Sequence, residues 1–578
     1  MNIPRPEHPN PQSVRERWEN LNGEWDFTID MAKSGRWRDL KLGTEGYDRK
    51  IIVPFCPESD LSGVGVKDFM PAVWYSRKIE ISATDLTGRV LLNVGACDWL
   101  CEVYVNGASC GVHKGGYSSF RFDITDKLTE GENTLVIYAE DDTRSGLQAS
   151  GKQSMWHASH GCFYTRTTGI WQTVWLEFVP RDYIKSFYVT ADTDNSIAVI
   201  TGTTVGCGKV CATALYEGKE VGSACTTSHG NFVISLPLSE LHLWEIGCGR
   251  LYDLKLTFGD DAVQSYFGMR TVGFDGMKFL LNGKSVFQRL VLDQGFYPDG
   301  IYTAPTEEAL IKDIQISLDC GFNGARLHEK AFEPLFLYHA DKMGYLVWGE
   351  YANWGLNYSD PAVTDTVLPE WLELVERDRS HPALIGWCPF NETWDYEGHK
   401  RQRNALLAAI YYTTKAVDPT RPCIDTSGNF HVVTDIFDVH NYNQDPKAFK
   451  ETYLPLETEG KLIDNHAKRQ VYRGEPVFMS EYGGIGLAEG CTDEYAATAN
   501  KTTTWSYGKA ATCIAEYVDR YRDLTDAMLD NSAIFGFCYT QLYDVEQEKN
   551  GIYTYDRRPK LDVSRIKEIN ERKAAIED

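Results

Sequence analysis

Short apolar runs broken by turn residues dominate the first part of the chain. Ile51-Ile52-Val53-Pro54, Val90–Val94, Cys101–Val105 and Thr134–Tyr138 recur over residues 1–180, separated by turn pairs such as Asn106-Gly107 and Gly115-Gly116. Successive side chains of a strand point to opposite faces, so such runs predict half-buried strands. Many of them in a row predict an antiparallel jelly-roll sandwich. Residues 181–272 continue the pattern with Ser196–Ile200 and Phe232–Leu236. That span has the size of an immunoglobulin-like β-sandwich.

From residue 273 the texture changes to apolar runs followed by amphipathic helices. Phe287–Val291 precedes a helix capped by Thr306, with Glu307 and Glu308 in its first turn and Leu310, Ile311, Ile314 and Leu318 on one face. Further strand-like runs lie at Asn323–Leu327, Tyr345–Trp348, Leu384–Cys388, Cys423–Thr426, Asp435–Val439, Pro476–Met479 and Ala533–Tyr539, with a helix pattern over Asn404–Lys415. Repeated strand–helix units predict a (β/α)8 TIM barrel over residues 273–578. The rival, a doubly wound sheet, usually brings a glycine-rich nucleotide loop. The nearest candidate, Gly484-Ile485-Gly486, has Glu489 where the third glycine belongs. The expected fold is multidomain β plus α/β: jelly roll, immunoglobulin-like sandwich, then barrel.

Charge narrows the partners. The 578 residues carry a formal charge of −24, which disfavours nucleic acid and anionic membrane surfaces. No 18-residue apolar run predicts a membrane span. Met1–Gln12 has neither the basic nor the apolar stretch of a signal peptide. The fifteen cysteines form no paired CxxC motif, so neither a zinc ribbon nor a redox pair is encoded. Free thiols and no leader point to a cytoplasmic location. No cofactor or metal is expected. His157, His160 and Cys162 look like a ligand cluster but read better as a polar loop. Trp25, Trp74 and Trp171 read as sandwich core.

A TIM barrel places its chemistry at the carboxyl ends of its strands. The polar residues there are Asp293, then Arg326 and His328, Glu350, Asn391 and Glu392, Asp425 and Thr426, His440 to Tyr442, Glu481, and finally Tyr539 and Gln541. Carboxylates after the fourth and seventh strands face each other across the mouth. Two opposed carboxyl groups are what glycosidic cleavage needs: one protonated to help the leaving oxygen depart, one ionised to attack the anomeric carbon.

Longer strings sharpen this. Gly386-Trp387-Cys388-Pro389-Phe390-Asn391-Glu392-Thr393 resembles the acid/base segment of glycoside hydrolase family 2, which includes β-galactosidases, β-glucuronidases and β-mannosidases. Pro476–Gly484 (PVFMSEYGG) resembles its nucleophile segment. Arg326–Pro334, Leu346–Glu350 and Asp418–Pro422 resemble other barrel segments. Leu21–Trp25, Val53–Phe55, Trp74-Tyr75, Val103–Gly107, Gly115–Tyr117 and Tyr164–Gln172 resemble its sugar-binding jelly roll. The resemblance covers nearly the whole chain in the family's domain order.

The resemblance implies a retaining double displacement, with Glu481 as nucleophile and Glu392 as acid/base. Asn391 would donate to the sugar 2-hydroxyl, Tyr442 would hold Glu481, and Arg326 would keep it ionised. The charge of Glu481 would in turn help keep Glu392 protonated. Asp293, His328, Glu350, His440, Trp394, Tyr539 and Gln541 complete the expected substrate site. Trp394 or Trp348 would offer a stacking face, and Glu350 matches a position that binds Mg in some members.

The chain also departs from the family. Glu329 replaces a common His, and the first strand runs Arg289-Leu290-Val291-Leu292-Asp293-Gln294 in place of the usual Arg-Gly-x-Asn-x-His. The strand-eight Trp is not evident. β-Glucuronidases carry an Asn-x-Lys that pairs with the sugar carboxylate; here Glu548 falls at the Asn and Asn550 at the Lys, with Lys549 between. A neutral sugar is therefore expected, galactose first. The rivals are a β-glucuronidase, β-galacturonidase or β-mannosidase, and a carbohydrate-binding protein on a decayed scaffold. By resemblance, the partners are a carbohydrate substrate and a second copy of the chain in a homo-oligomer.

Overall fold

Two antiparallel sheets face each other in the first sandwich of this computed structural model, which describes residues 3–394, 401–463, 466–488, 491 and 504–577. One sheet has four strands, running Trp18–Asn20, Val174–Val179, Arg89–Val94 and Phe120–Asp123. The other has six, with Ala72–Ile81 and Gly131–Glu140 at its centre and Trp74 opposite Tyr138. Leu21, Trp25, Phe27, Tyr75, Leu92, Ile137 and Leu176 fill the space between them. Trp25, Trp74 and Trp171 are all buried, as expected of core residues. Trp171 packs into the cluster that continues into the barrel.

The second sandwich pairs a three-stranded sheet (Tyr183–Asp192, Ile197–Val205, Asn231–Pro237) with a four-stranded one (Lys219–Ser228, Gly208–Tyr216, Tyr252–Phe258, Asp261–Phe267). Cys211 and Cys225 stand opposite each other on one hairpin and form a disulfide. This departs from the expectation of free thiols throughout; thirteen other cysteines are free. The first segment is tied to this sandwich by buried Arg15, which pairs with Asp261 and Glu177, each at 2.9 Å.

The barrel carries seven strands in one parallel sheet, in the order Leu384–Cys388, Leu346–Glu350, Gly324–Leu327, Gln288–Asp293, Ile534–Thr540, Val477–Gly483 and Phe437–Asn441. Helices such as Glu307–Asp319, Asn404–Val417 and Ile514–Leu529 alternate with them. The strand expected at Cys423–Thr426 forms no regular ladder. It makes isolated parallel bridges, Trp387 with Cys423 and Asn391 with Ser427. On the side of Phe437–Asn441, side chains take over the pairing. Gly428 N donates to Asp438 at 3.1 Å, Cys423 N donates to Asp435 at 2.9 Å, and His431 lies between Asp425 (2.8 Å) and Asp438 (3.1 Å). The run Asp425-Thr426-Ser427 is polar enough to offer the backbone these alternatives. The barrel closes through this stretch. Among the described residues, no helix is long and apolar enough to cross a membrane.

Candidate active site

Glu481 and Glu392 meet at one histidine. His440 Nδ1 lies 2.7 Å from Glu392 Oε1 and 3.4 Å from Glu481 Oε2. One ligand atom from each of these three residues lies within 4.8 Å of the others. His440 Nε2 is 3.0 Å from Ser427 Oγ, in the irregular fifth segment. Glu392 has a left-handed backbone, φ +45°, and donates its N–H to Ser427 O at 3.0 Å.

Arg326 is the organiser. It is 1% exposed. Its Nη1 donates to Glu481 Oε1 at 3.1 Å and to Ser480 O at 2.9 Å, its Nη2 donates to Asn391 Oδ1 at 2.9 Å, and its Nε donates to Glu350. His328 Nδ1 lies 3.0 Å from the other oxygen of Glu350, which also accepts from Glu329 N. Glu350 therefore spends its oxygens on protein groups. The Tyr442 hydroxyl donates to Glu481 Oε2 and lies 3.1 Å from Thr540 Oγ1. The Tyr442 ring stacks on Tyr507 at 3.5 Å. Asn391 Nδ2 is buried with no partner, which leaves a donor available at the site.

Titration follows these contacts. Burial disfavours the charge on Glu392, but His440 and then Lys152 outweigh it and hold the carboxyl below its usual range. Burial likewise opposes the charge on His440, yet Glu481 and Glu392 raise it above the usual histidine value. The sequence leads us to expect Glu481 to help keep Glu392 protonated; in the structure the His440 contact instead favours the ionised form of Glu392 and the charged form of His440. Burial, Lys152 and Arg326 drive His328 well below its ordinary value, so it is neutral.

Three expected site residues point elsewhere. Tyr539 alternates outward from its strand, and its hydroxyl meets Tyr517 of the helix layer at 2.8 Å; the neighbouring Thr540 faces Tyr442 instead. Asp293 is taken up by the Tyr543 hydroxyl and by Gly295 N at 2.9 Å. Gln541 bonds Asn550 at 2.8 Å and Gln294 at 2.9 Å. Trp348 is buried in the barrel interior against Phe478, so it offers no stacking face. Trp394 lines a cavity of about 980 Å³ that also contains Glu392, Trp354, Phe163 and Cys162. His157 is paired with Asp68 at 3.4 Å and His160 stacks on Trp156 at 3.7 Å. Those two and Cys162 are not gathered as ligands.

Reading strand ends missed Lys152, Tyr507, Thr540 and Ser427. The first sandwich sends its segment 150–164 to the barrel mouth. Ser150 N donates to Trp354 O at 2.9 Å and Gly151 N to Ala352 O at 3.0 Å. No periodicity marks that contact.

Comparison with known proteins agrees with this architecture. A putative β-glucuronidase of Formosa agariphila is 26% identical over 491 residues, covering 81% of this chain and 56% of that protein. A β-galactosidase of Thermoanaerobacter pseudethanolicus is 25% identical over 446 residues, covering 72% of this chain and 56% of that protein. The chain thus spans about half the length of these two relatives. A β-glucuronidase structure from an uncultured Clostridium sp. superposes with a TM-score of 0.79 at 20% identity, covering 96% of this chain and 98% of that one. The sugar binding domain model of glycosyl hydrolases family 2 matches residues 18–177, and the TIM barrel domain model of the same family matches residues 276–575. With more than half of its length matched in this order, the chain belongs to glycosyl hydrolases family 2.

Proposed function

We propose that the protein is a retaining exo-β-glycosidase that removes a terminal β-linked sugar, with a galactoside as the first substrate to test. The carrying observation is the close facing of Glu392 and Glu481, with oxygens within 4.8 Å of each other. Retaining enzymes hold their two carboxyl groups about 5–5.5 Å apart, whereas inverting ones leave room for water. Glu481 attacks the anomeric carbon, and the bond to the leaving oxygen breaks as Glu392 delivers a proton to that oxygen. Water then attacks the glycosyl-enzyme ester, gives its proton to Glu392, and frees Glu481.

His440 supplies what the sequence argument lacked. It holds the proton beside Glu392, and a shift of that proton across the 2.7 Å contact arms the acid. Arg326 and Tyr442 hold Glu481 in its attacking orientation. Asn391 Nδ2, buried without a partner, is suited to the sugar 2-hydroxyl. The second reading is a β-glucuronidase, favoured by the names of the Formosa relative and of the superposed structure.

Glu481→Gln should lower kcat on an aryl β-glycoside by several orders of magnitude. A 2-fluoroglycoside of the accepted sugar should label Glu481. Retained turnover in the variant, or a label on another residue, would sink the assignment.

A further inference from the structure

Lys152 and Glu548 take no part in the proton and bond movements above, yet both are buried beside them, at 4% and 1% exposure. They come from distant parts of the chain. Lys152 lies in the first sandwich, between its strands Gly131–Glu140 and Gly169–Ile170; Glu548 follows the last barrel strand.

The backbone of Lys152 is fixed from both sides. Tyr164 N donates to Lys152 O at 2.7 Å. The preceding Gly151 has φ +52°, and a Cβ there would lie 2.2 Å from Glu329 O. Only glycine allows this approach.

The ammonium makes no hydrogen bond or ion pair among the described residues. It sits over the face of Trp354, 4.5 Å from the ring centre. Burial works against its charge, but Cys162, Glu548, Glu481 and Glu392 around it outweigh the burial. A buried cation with unused N–H groups, set among carboxylates, marks a place where a ligand brings acceptors.

Glu548 is rigid. Its Oε1 accepts from Asn550 Nδ2 at 2.9 Å, and its Oε2 accepts from the Tyr164 hydroxyl. Gln541 fixes Asn550 in turn. Each carboxylate oxygen keeps a further lone pair. Trp505 bridges Glu548 along the backbone and packs its ring on Tyr507 at 4.6 Å, and Tyr507 stacks on Tyr442, whose hydroxyl holds Glu481.

We propose that Lys152 and Glu548 clamp neighbouring hydroxyls of the sugar being released, the ammonium donating and the carboxylate accepting, and that the pair selects a neutral sugar over a uronic acid. This rests on the glycosidase reading and goes beyond it by fixing the class of sugar. Arg326 is committed to Glu350 and Glu481, and His440 to Glu392. With Lys152 and Glu548 counted, the groups named here are three cations, Arg326, His440 and Lys152, against four carboxylates, Glu350, Glu481, Glu392 and Glu548. A ring bearing only hydroxyls adds no charge to this excess. A sugar carboxylate would add a further anion to it in a desolvated site, where like charges repel strongly.

The test uses the full chain carrying Glu481→Gln, so that ligands bind without turnover. Calorimetry would measure galactose, glucose and mannose, each against its 6-carboxylate, with Lys152→Met and Glu548→Gln added singly. Both replacements keep the shape of the side chain, and a thermal melt checks folding. The best neutral sugar should bind at least roughly 10-fold tighter than its uronic acid. Each variant should weaken it by about 10- to 100-fold, the range for hydrogen bonds to charged groups. Glu548→Gln should also narrow the gap between neutral sugar and uronic acid. The proposal falls if a uronic acid binds tighter and Lys152→Met abolishes that binding, if neither variant affects the neutral sugar, or if none of the six binds. Failure of the glycosidase reading looks different: the wild-type chain would hydrolyse no aryl glycoside while the binding contrast persisted.

Discussion

Along Asn231–Pro237 of the second sandwich, Phe232, Ile234 and Leu236 are buried while Asn231, Val233 and Ser235 face out. The first sandwich breaks that rule where it meets the barrel, with Glu58, Asp98 and Gln153 completely buried. Gln153 Nε2 donates to Asp98 at 2.7 Å, and its Oε1 accepts from Thr167 N at 2.8 Å. This network steadies the residue next to Lys152. A sandwich that only has to fold keeps polar groups outside, because burying them unpaired is costly. One that also furnishes a site retains them and holds each by specific partners.

The contrast can be broken most forcefully through the second sandwich. Leu236→Ala should reduce unfolding free energy by about 2–5 kcal/mol, as for other buried leucines, while KM for the accepted glycoside stays unchanged. A shifted KM would show that this sandwich also shapes the site. In the first sandwich, Gly151→Ala should do the reverse. Its added methyl meets Glu329 O and displaces Lys152, so kcat/KM should fall by about 100-fold, the size of effect expected from a misplacement near 1 Å. Melting should move far less.

A third contrast lies in pH dependence. Burial pushes the Glu58 carboxyl up to about 8, and its Oε1 has no partner. The folded chain therefore holds a proton that the unfolded chain releases above the ordinary glutamate value of 4.5. Its stabilising contribution is complete below 4.5 and declines as pH rises toward 8, by at most about 1.4 kcal/mol per pH unit. Glu58→Gln should remove that slope in urea unfolding measured at pH 5 and pH 8. An unchanged slope would remove Glu58 from the account.

Much of this was legible in the residues. Alternation located the strands of both sandwiches, and strand ends located Arg326, Glu392, His440 and Glu481, because a barrel presents its strand ends at one face. Tyr539 was misread by one position: in a strand, neighbours point oppositely, and Thr540 is the inward one. The fifth barrel strand was overestimated, because Asp425 and Ser427 compete for backbone partners in ways a hydrophobic pattern does not register. Lys152 was invisible for a different reason. Its meaning depends on Ala352 and Trp354, some two hundred residues away, and nothing local in Ser150-Gly151-Lys152-Gln153 announces them.

The backbone bonds from Ser150 and Gly151 to Trp354 and Ala352 have one more implication. The barrel by itself would be a cup with part of its rim missing, and the amino-terminal module supplies that missing arc. On the proposed function, a loop distant in sequence from Glu392 and Glu481 can change which sugars are accepted without replacing either of those two carboxyl groups.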